Sequence, residues 1–277
     1  MSLMQKNNSL KQILKELGKV VVAYSGGVDS TFLLKSAVDT LGADKVLACM
    51  SVGPSEPSNI YEKAVQFAGS IGVEFQTIDA DELNDPDFTA NKADRCFHCK
   101  SHLCKTLRDI GKQRGFDNVI FGTNFDDLDD FRPGNRALKA FGIRSPLAEA
   151  LLTKDDIRAL SREMNLPTAE QPASPCLASR IVYGLEVTEQ RLQQIDEAEN
   201  FLRELGLVEF RVRHHDTVAR IEVKPEDIEK VTIEPARSQI VEKLKSLGFR
   251  FVTVDLQGFR SGALNEALSE QQKRKNL

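Results

Sequence analysis

The sequence predicts an α/β protein: a parallel sheet with helices on both faces in residues 1–180, followed by a smaller α+β domain in residues 181–277. Three observations predict it. Short apolar, β-branched runs alternate with stretches of helical periodicity through the first half, as repeated βα units do. Prolines at 167, 172 and 175 then exclude a regular helix or a central strand between the halves. Beyond them the order of elements changes to helix, strand, strand, helix, strand.

Met1 to Lys19 is polar, with Leu10, Ile13, Leu14 and Leu17 at the spacing of an amphipathic helix. Val20 to Tyr24 is a short apolar run that suits a strand buried on both faces. From Thr31 the apolar residues Phe32, Leu33, Leu34, Ala37, Val38 and Leu41 fall at helical spacing. Strands are expected over Lys45–Val52, Val73–Ile78 and Asn118–Phe121, and helices over Asn59–Ile71, Arg95–Arg114 and Thr153–Asn165. The last carries a capping box, Thr153 with Asp156 three residues on. In the second half a long polar helix runs from Thr188 to Leu205. Apolar runs follow at Val208–Val212 and Val218–Val223, then a helix over Pro235–Leu247 and a strand over Phe249–Leu256. "FLRELGLVEFRV" and "KLKSLGFRFVTV" share a helix ending in Leu-Gly before a strand. They read equally as an internal pseudo-repeat or as a common helix stop.

A chain of 277 residues can form one large domain or two small ones, each with its own core. The net charge of −4 argues against a global attraction to nucleic acid. No apolar run approaches the ~18 residues of a membrane span, and residues 1–19 lack the apolar stretch of a signal peptide. A cytoplasmic protein is expected. In a reducing compartment, clustered thiols among the five cysteines point to metal or catalysis more than to disulfides.

Between the first strand and its helix lies Ser25-Gly26-Gly27-Val28-Asp29-Ser30. The glycines let a ligand approach the backbone, and the helix start offers unpaired N–H groups with partial positive charge. That is an anion site, most often for phosphate. The alternative is an ordinary βα turn. The Walker A and dinucleotide fingerprints are absent, and alanine at position 23 breaks the nucleophile elbow.

"GTNFDDLDDFRPG" follows the fourth strand, at the carboxyl edge where ligands bind in such sheets. Asp127 and Asp130 are candidates to hold Mg2+ with phosphates, or members of a solvated acidic loop. Cys96 and Cys99 in "RCFHCK" place two sulfurs within reach of one metal or cluster, or are small helix residues. Zinc would want further ligands, for which His98 and His102 are nearby. Cys104 lies within about two turns of Cys96 and is a substitute ligand. Cys176 sits in a proline-shaped loop, with Arg180 close enough in sequence to favour its thiolate. Arg211 and Arg213, two apart on a predicted strand, share a face suited to phosphate or to carboxylates.

The Ser-Gly-Gly-Val-Asp-Ser loop resembles the PP-loop of the ATP pyrophosphatases. With "DDFRPG" at 129–134, "PASPCLASRIVYG" at 172–184, "RVRHHDTVARIE" at 211–222 and "LGFRFVTVDLQGFRSGALN" at 247–265, nearly the whole chain resembles the LarE family of ATP-dependent sulfur transferases. The resemblance implies a PP-loop ATP pyrophosphatase domain followed by a small domain for substrate binding or oligomerisation. It implies adenylation of a carboxylate of pyridinium-3,5-biscarboxylic acid mononucleotide and its conversion to a thiocarboxylate, for the nickel-pincer nucleotide cofactor.

In that reading Ser25, Gly26, Gly27, Asp29 and Ser30 hold the ATP phosphates, with Mg2+, and Asp29, Ser30 and Cys176 are catalytic. Arg211, Arg213 and Arg180 bind the mononucleotide. Some members give up the sulfur of one cysteine, at the position of Cys176. Others use three cysteines to bind a [4Fe-4S] cluster, and the trio Cys96, Cys99 and Cys176 resembles the second kind. The family often forms trimers or hexamers. Two alternatives remain open here: a tRNA 2-thiolation enzyme of the PP-loop, three-cysteine type, and a nucleotide-binding module without chemistry.

Overall fold

The computed structural model describes residues 1–128 and 133–275. After helix α1 (Leu3–Leu17), four strands, β1 (Val20–Ala23), β2 (Val46–Val52), β3 (Glu74–Asp79) and β4 (Asn118–Phe121), form an all-parallel sheet in the order β3-β2-β1-β4. Val20 of β1 pairs with Val46 on one side and Asn118 on the other. The winding therefore reverses at β1, and a crevice opens at the carboxyl ends of β1 and β4.

The crossovers are α2 (Val28–Leu41), α3 (Tyr61–Ser70), the short α4 (Pro86–Thr89) and the long α5 (Arg95–Arg114). Val20 and Val22 point to one face of the sheet, packing with Leu10 and Leu14 of α1 and with Phe32 and Leu33 of α2. Val21 points to the other, against Leu107 and Cys104 of α5. This alternation is why the run reads as apolar throughout.

After β4 come α6 (Gly134–Ala140), α7 (Pro146–Glu149) and α8 (Lys154–Glu163). Arg144 pairs alongside Ile120 and covers part of the β4 edge. The prolines at 167, 172 and 175 lie in turns and extended chain, as expected.

A second sheet is built from β5 (Phe210–His215), β6 (Val218–Val223) and β7 (Phe251–Val254), with β5 antiparallel and β7 parallel to β6. Helices α9 (Glu189–Glu204), α10 (Ile228–Thr232) and α11 (Ala236–Ser246) accompany it, and α12 (Glu270–Lys275) follows. Leu202 and Leu244 share one apolar cluster with Val212, Ile221 and Val223. Both Leu-Gly stretches are helix stops, at Gly206 and Gly248, each with positive φ. The last strand is shorter than its apolar run because Phe249 turns into the core before pairing begins.

Candidate active site

The loop after β1 is shaped by Gly26. Its φ is +69°, and a Cβ there would lie 2.7 Å from Ile60 Cγ2. Both facts exclude a side chain. Gly27 caps α2 without a side-chain hydrogen bond, so the first N–H groups of the helix face the loop. Ser30 is buried and braces the turn: its Oγ accepts from the Ser25 N–H at 3.2 Å and donates to the Gly27 carbonyl at 3.2 Å. Ser25 is exposed, with Oγ 3.1 Å from that of Ser30. Gly122, at the end of β4, approaches so closely that a Cβ would lie 2.9 Å from the Ser30 nitrogen. The two strand ends thus enclose one crevice.

Asp29, in the first turn of α2, faces that crevice. Lys154 Nζ donates to both of its carboxylate oxygens at 2.8 Å, and Asn124 Nδ2 donates to Oδ2 at 3.3 Å. Asn124 and the buried Asp127 exchange hydrogen bonds, and the Asp126 carboxylate accepts from the Lys154 backbone N–H at 2.7 Å. The structure therefore brings Asp29 and the Asp127 turn together. Asp130 lies outside the described residues.

The second group of predicted residues surrounds the Cys176 loop. Arg180 is 1 % exposed, and its Nε and Nη2 donate to the two oxygens of Glu199 at 2.9 and 3.0 Å. Its Nη1 donates to the carbonyls of Pro175 and Cys176. Arg213 Nε donates to buried Glu222 at 2.9 Å, and its Nη1 to the Ser179 carbonyl at 3.0 Å. Arg211 reaches the Ala173 carbonyl and lies 5.0 Å over the Phe259 ring. The alternation along β5 does place both arginines under one segment, residues 173–180. Of the three, Arg211 alone has no carboxylate partner among the described residues. Burial and the neighbouring Arg180 lower its pKa to about 10.

Cys96 and Cys99 open α5, and Cys176 approaches from its loop, which is pinned where the Leu177 N–H donates to the Ser55 carbonyl at 2.6 Å. Cys99 and Cys176 pack in one apolar cluster with Phe88 and Leu177. Burial pushes the Cys176 thiol up to about 11 and raises Cys99 as well, with the other two thiols of the trio adding to the rise of Cys99. Arg180 does act to favour the Cys176 thiolate, as expected, but only weakly. Burial outweighs it, and the larger opposing cation is Arg95. Arg95 is buried, with Nη2 4.0 Å from Cys96 Sγ and Nε without a partner among the described residues. Burial opposes its charge, but Cys96 and Cys176 hold its pKa above the ordinary value.

Cys104 faces the sheet in a different cluster, with Cys49, and burial raises both thiols, to about 11 and about 12 respectively. His98 lies 3.7 Å from Asp87 and 3.5 Å from Asp94. Among the described residues no three His, Cys, Asp or Glu side chains gather tightly enough for a single metal ion.

Sequence reasoning missed Lys154, Arg95, Glu199 and Glu222. One signal was available. Glu199 lies on the same stripe of α9 as Leu192, Ile195 and Leu202, and an acid on an apolar stripe calls for a buried cation. Lys154 had none, because its partner is 125 residues away.

A family profile described as NAD synthase matches residues 3–97. An uncharacterised protein of Synechocystis sp. is 42% identical over 96% of this chain and 98% of its own. The pyridinium-3,5-bisthiocarboxylic acid mononucleotide synthase of Lactiplantibacillus plantarum is 37% identical, over 98% of both chains. An uncharacterised protein of Methanocaldococcus jannaschii is 31% identical over 94% of this chain and 97% of its own.

Proposed function

Because the chain belongs to the family of the pyridinium-3,5-bisthiocarboxylic acid mononucleotide synthases, ATP-dependent sulfurtransferases of the PP-loop ATP pyrophosphatase kind, we propose that it converts carboxylates of the pyridinium mononucleotide to thiocarboxylates for nickel-pincer nucleotide synthesis. The observation that supports this reading most is that an anion-binding loop with Asp29, after β1, and a cysteine-bearing loop, bonded to Ser55 after β2, both lie at the carboxyl edge of one sheet.

The chemistry needs two steps. A substrate carboxylate oxygen attacks the α-phosphorus of ATP and pyrophosphate leaves, giving an acyl adenylate. A sulfur nucleophile then attacks the acyl carbon, and AMP departs with the C–O bonding pair. Gly26, Gly27, the exposed Ser25 hydroxyl and the N–H groups of α2 receive the phosphates, stabilising the charge that develops on pyrophosphate. Ser30 keeps that loop in shape. Asp29 fits a Mg2+ ligand, because Mg2+ takes few protein carboxylates and completes its shell with water and substrate phosphates. Asp127 holds Asn124 beside it.

The cysteine trio fits a [4Fe-4S] cluster: Cys99 and Cys176 share an apolar cluster, Cys96 is near enough to raise the pKa of both, and the buried Arg95 beside Cys96 has donor capacity to spare. Ligands of a cubane each bind a separate iron, so they need not gather as they would around one ion. When bound, a cluster with three cysteine ligands leaves one iron able to carry an exchangeable sulfide. Sacrificial use of the Cys176 sulfur is the alternative, and it leaves Cys96 and Cys99 without a role. Changing Cys96, Cys99 or Cys176 to Ala is expected to lower the iron bound after anaerobic reconstitution, whereas Cys49→Ala and Cys104→Ala leave it unchanged. Equal iron in all five variants contradicts the trio.

Arg211, without a carboxylate partner among the described residues, receives the mononucleotide phosphate, with Arg213 adding charge and Arg180 fixing the loop above them. Arg211→Ala is expected to weaken mononucleotide binding by about 1.5–3 kcal/mol, with ATP binding unchanged. Equal loss of both ligands in calorimetry points to a structural role instead.

No helix among the described residues is long and apolar enough to cross a membrane. A cytoplasmic homo-oligomer, trimer or hexamer, completes the proposal. The functional reading is tested by pyrophosphate release from ATP with the mononucleotide, with tRNA and with neither. Release that depends on the mononucleotide is expected, and dependence on tRNA overturns it.

A further inference from the structure

Lys154 stands where a metal would bind. Its Nζ takes both oxygens of Asp29 at 2.8 Å, and the carboxylate has no other cation among the described residues. The lysine is held in place from two directions. It is the first residue of α8, whose capping box fixes the helix start, and its backbone N–H is bound by Asp126 at 2.7 Å. Its side chain is 32% exposed and that of Asp29 20%, so solvent and ions reach the pair.

We propose that Lys154 is a place-holding cation: in the nucleotide-free protein it occupies the Asp29 carboxylate and keeps a divalent metal out, releasing it only when the metal arrives with the phosphates of ATP. This rests on the ATP-binding reading above. A metal on either oxygen of Asp29 would lie within a few ångströms of Nζ, and the two positive charges repel. A polyphosphate removes the conflict, since it supplies enough negative charge for both cations. Metal and nucleotide then bind as a unit, and the half-buried carboxylate is never left bare, which would carry a desolvation cost.

The test uses Mn2+ as the probe, with its affinity for the nucleotide-free full chain read by electron paramagnetic resonance or calorimetry. Wild type is expected to bind Mn2+ weakly, and K154M about tenfold more tightly or better. K154Q replaces it should that variant melt early. K154R keeps the charge and is expected to exclude the metal as wild type does. Adding D29N to K154M is expected to remove the gain. Unchanged Mn2+ affinity in K154M, or tight binding by wild type without nucleotide, overturns the proposal. ATP binding by wild type with Mg2+ is measured alongside. Its absence overturns the nucleotide reading and this proposal with it, whereas intact ATP binding with no effect of K154M overturns this proposal alone.

Discussion

Glu199→Ala is expected to destabilise the protein by about 3–5 kcal/mol, the cost of leaving a buried charge without its partner. The carboxylate is held on both oxygens by Arg180, and Oε1 also accepts the Val212 backbone N–H at 3.1 Å. Both residues are almost wholly buried, so the pair is scarcely screened by solvent. Its loss strands the guanidinium and the Val212 N–H together. Arg180 also ties down the Pro175 and Cys176 carbonyls, so the Cys176 loop should loosen before the fold is lost. Denaturant titration reads the first effect, and hydrogen exchange over residues 173–180 reads the second. A loss below about 1 kcal/mol, the range of an exposed pair, contradicts the account of this ion pair.

Asp29→Ala is expected to lower pyrophosphate release by at least about 10²–10³-fold, the usual cost of removing one group that stabilises developing charge. The change removes the carboxylate proposed for Mg2+ and also frees Lys154, so ATP binding should weaken while the melt stays close to wild type. The fold does not depend on Asp29, because Ser30 and Gly122 shape the loop without it. Release at the normal rate by this variant contradicts the assignment of the loop.

Much of the architecture was legible in the sequence because it rests on local periodicity. The helix over Arg95–Arg114 and the strands over Asn118–Phe121 and Val218–Val223 have the expected bounds. The capping box of Thr153 and Asp156 forms as its spacing requires. The loop over Ser25–Ser30 was legible too, since strand, glycines and helix adjoin one another. What stayed hidden was pairing across the chain. Alternation put Arg211 and Arg213 on one face, but nothing local shows that Glu222 would pair with Arg213, or that each arginine would bond a carbonyl of the segment around Cys176. Arg180 lies four residues from Cys176 and lowers its thiol pKa, but burial and Arg95, which only the folded chain brings near, act more strongly on it. Cys96 and Cys104 share a helix, and the side each faces became clear only with the sheet behind Cys104.

In the proposed reaction ATP is spent to replace carboxylate oxygen by sulfur on a pyridinium mononucleotide. Mass spectrometry of the mononucleotide after anaerobic incubation with the reconstituted protein, ATP, Mg2+ and sulfide tests it most directly, with the intact protein weighed in the same sample. The account predicts thiocarboxylate product, one oxygen exchanged for sulfur at each converted carboxylate, over many turnovers and with the protein mass unchanged. A mononucleotide recovered without sulfur, from a sample in which ATP has been cleaved to AMP and pyrophosphate, contradicts it.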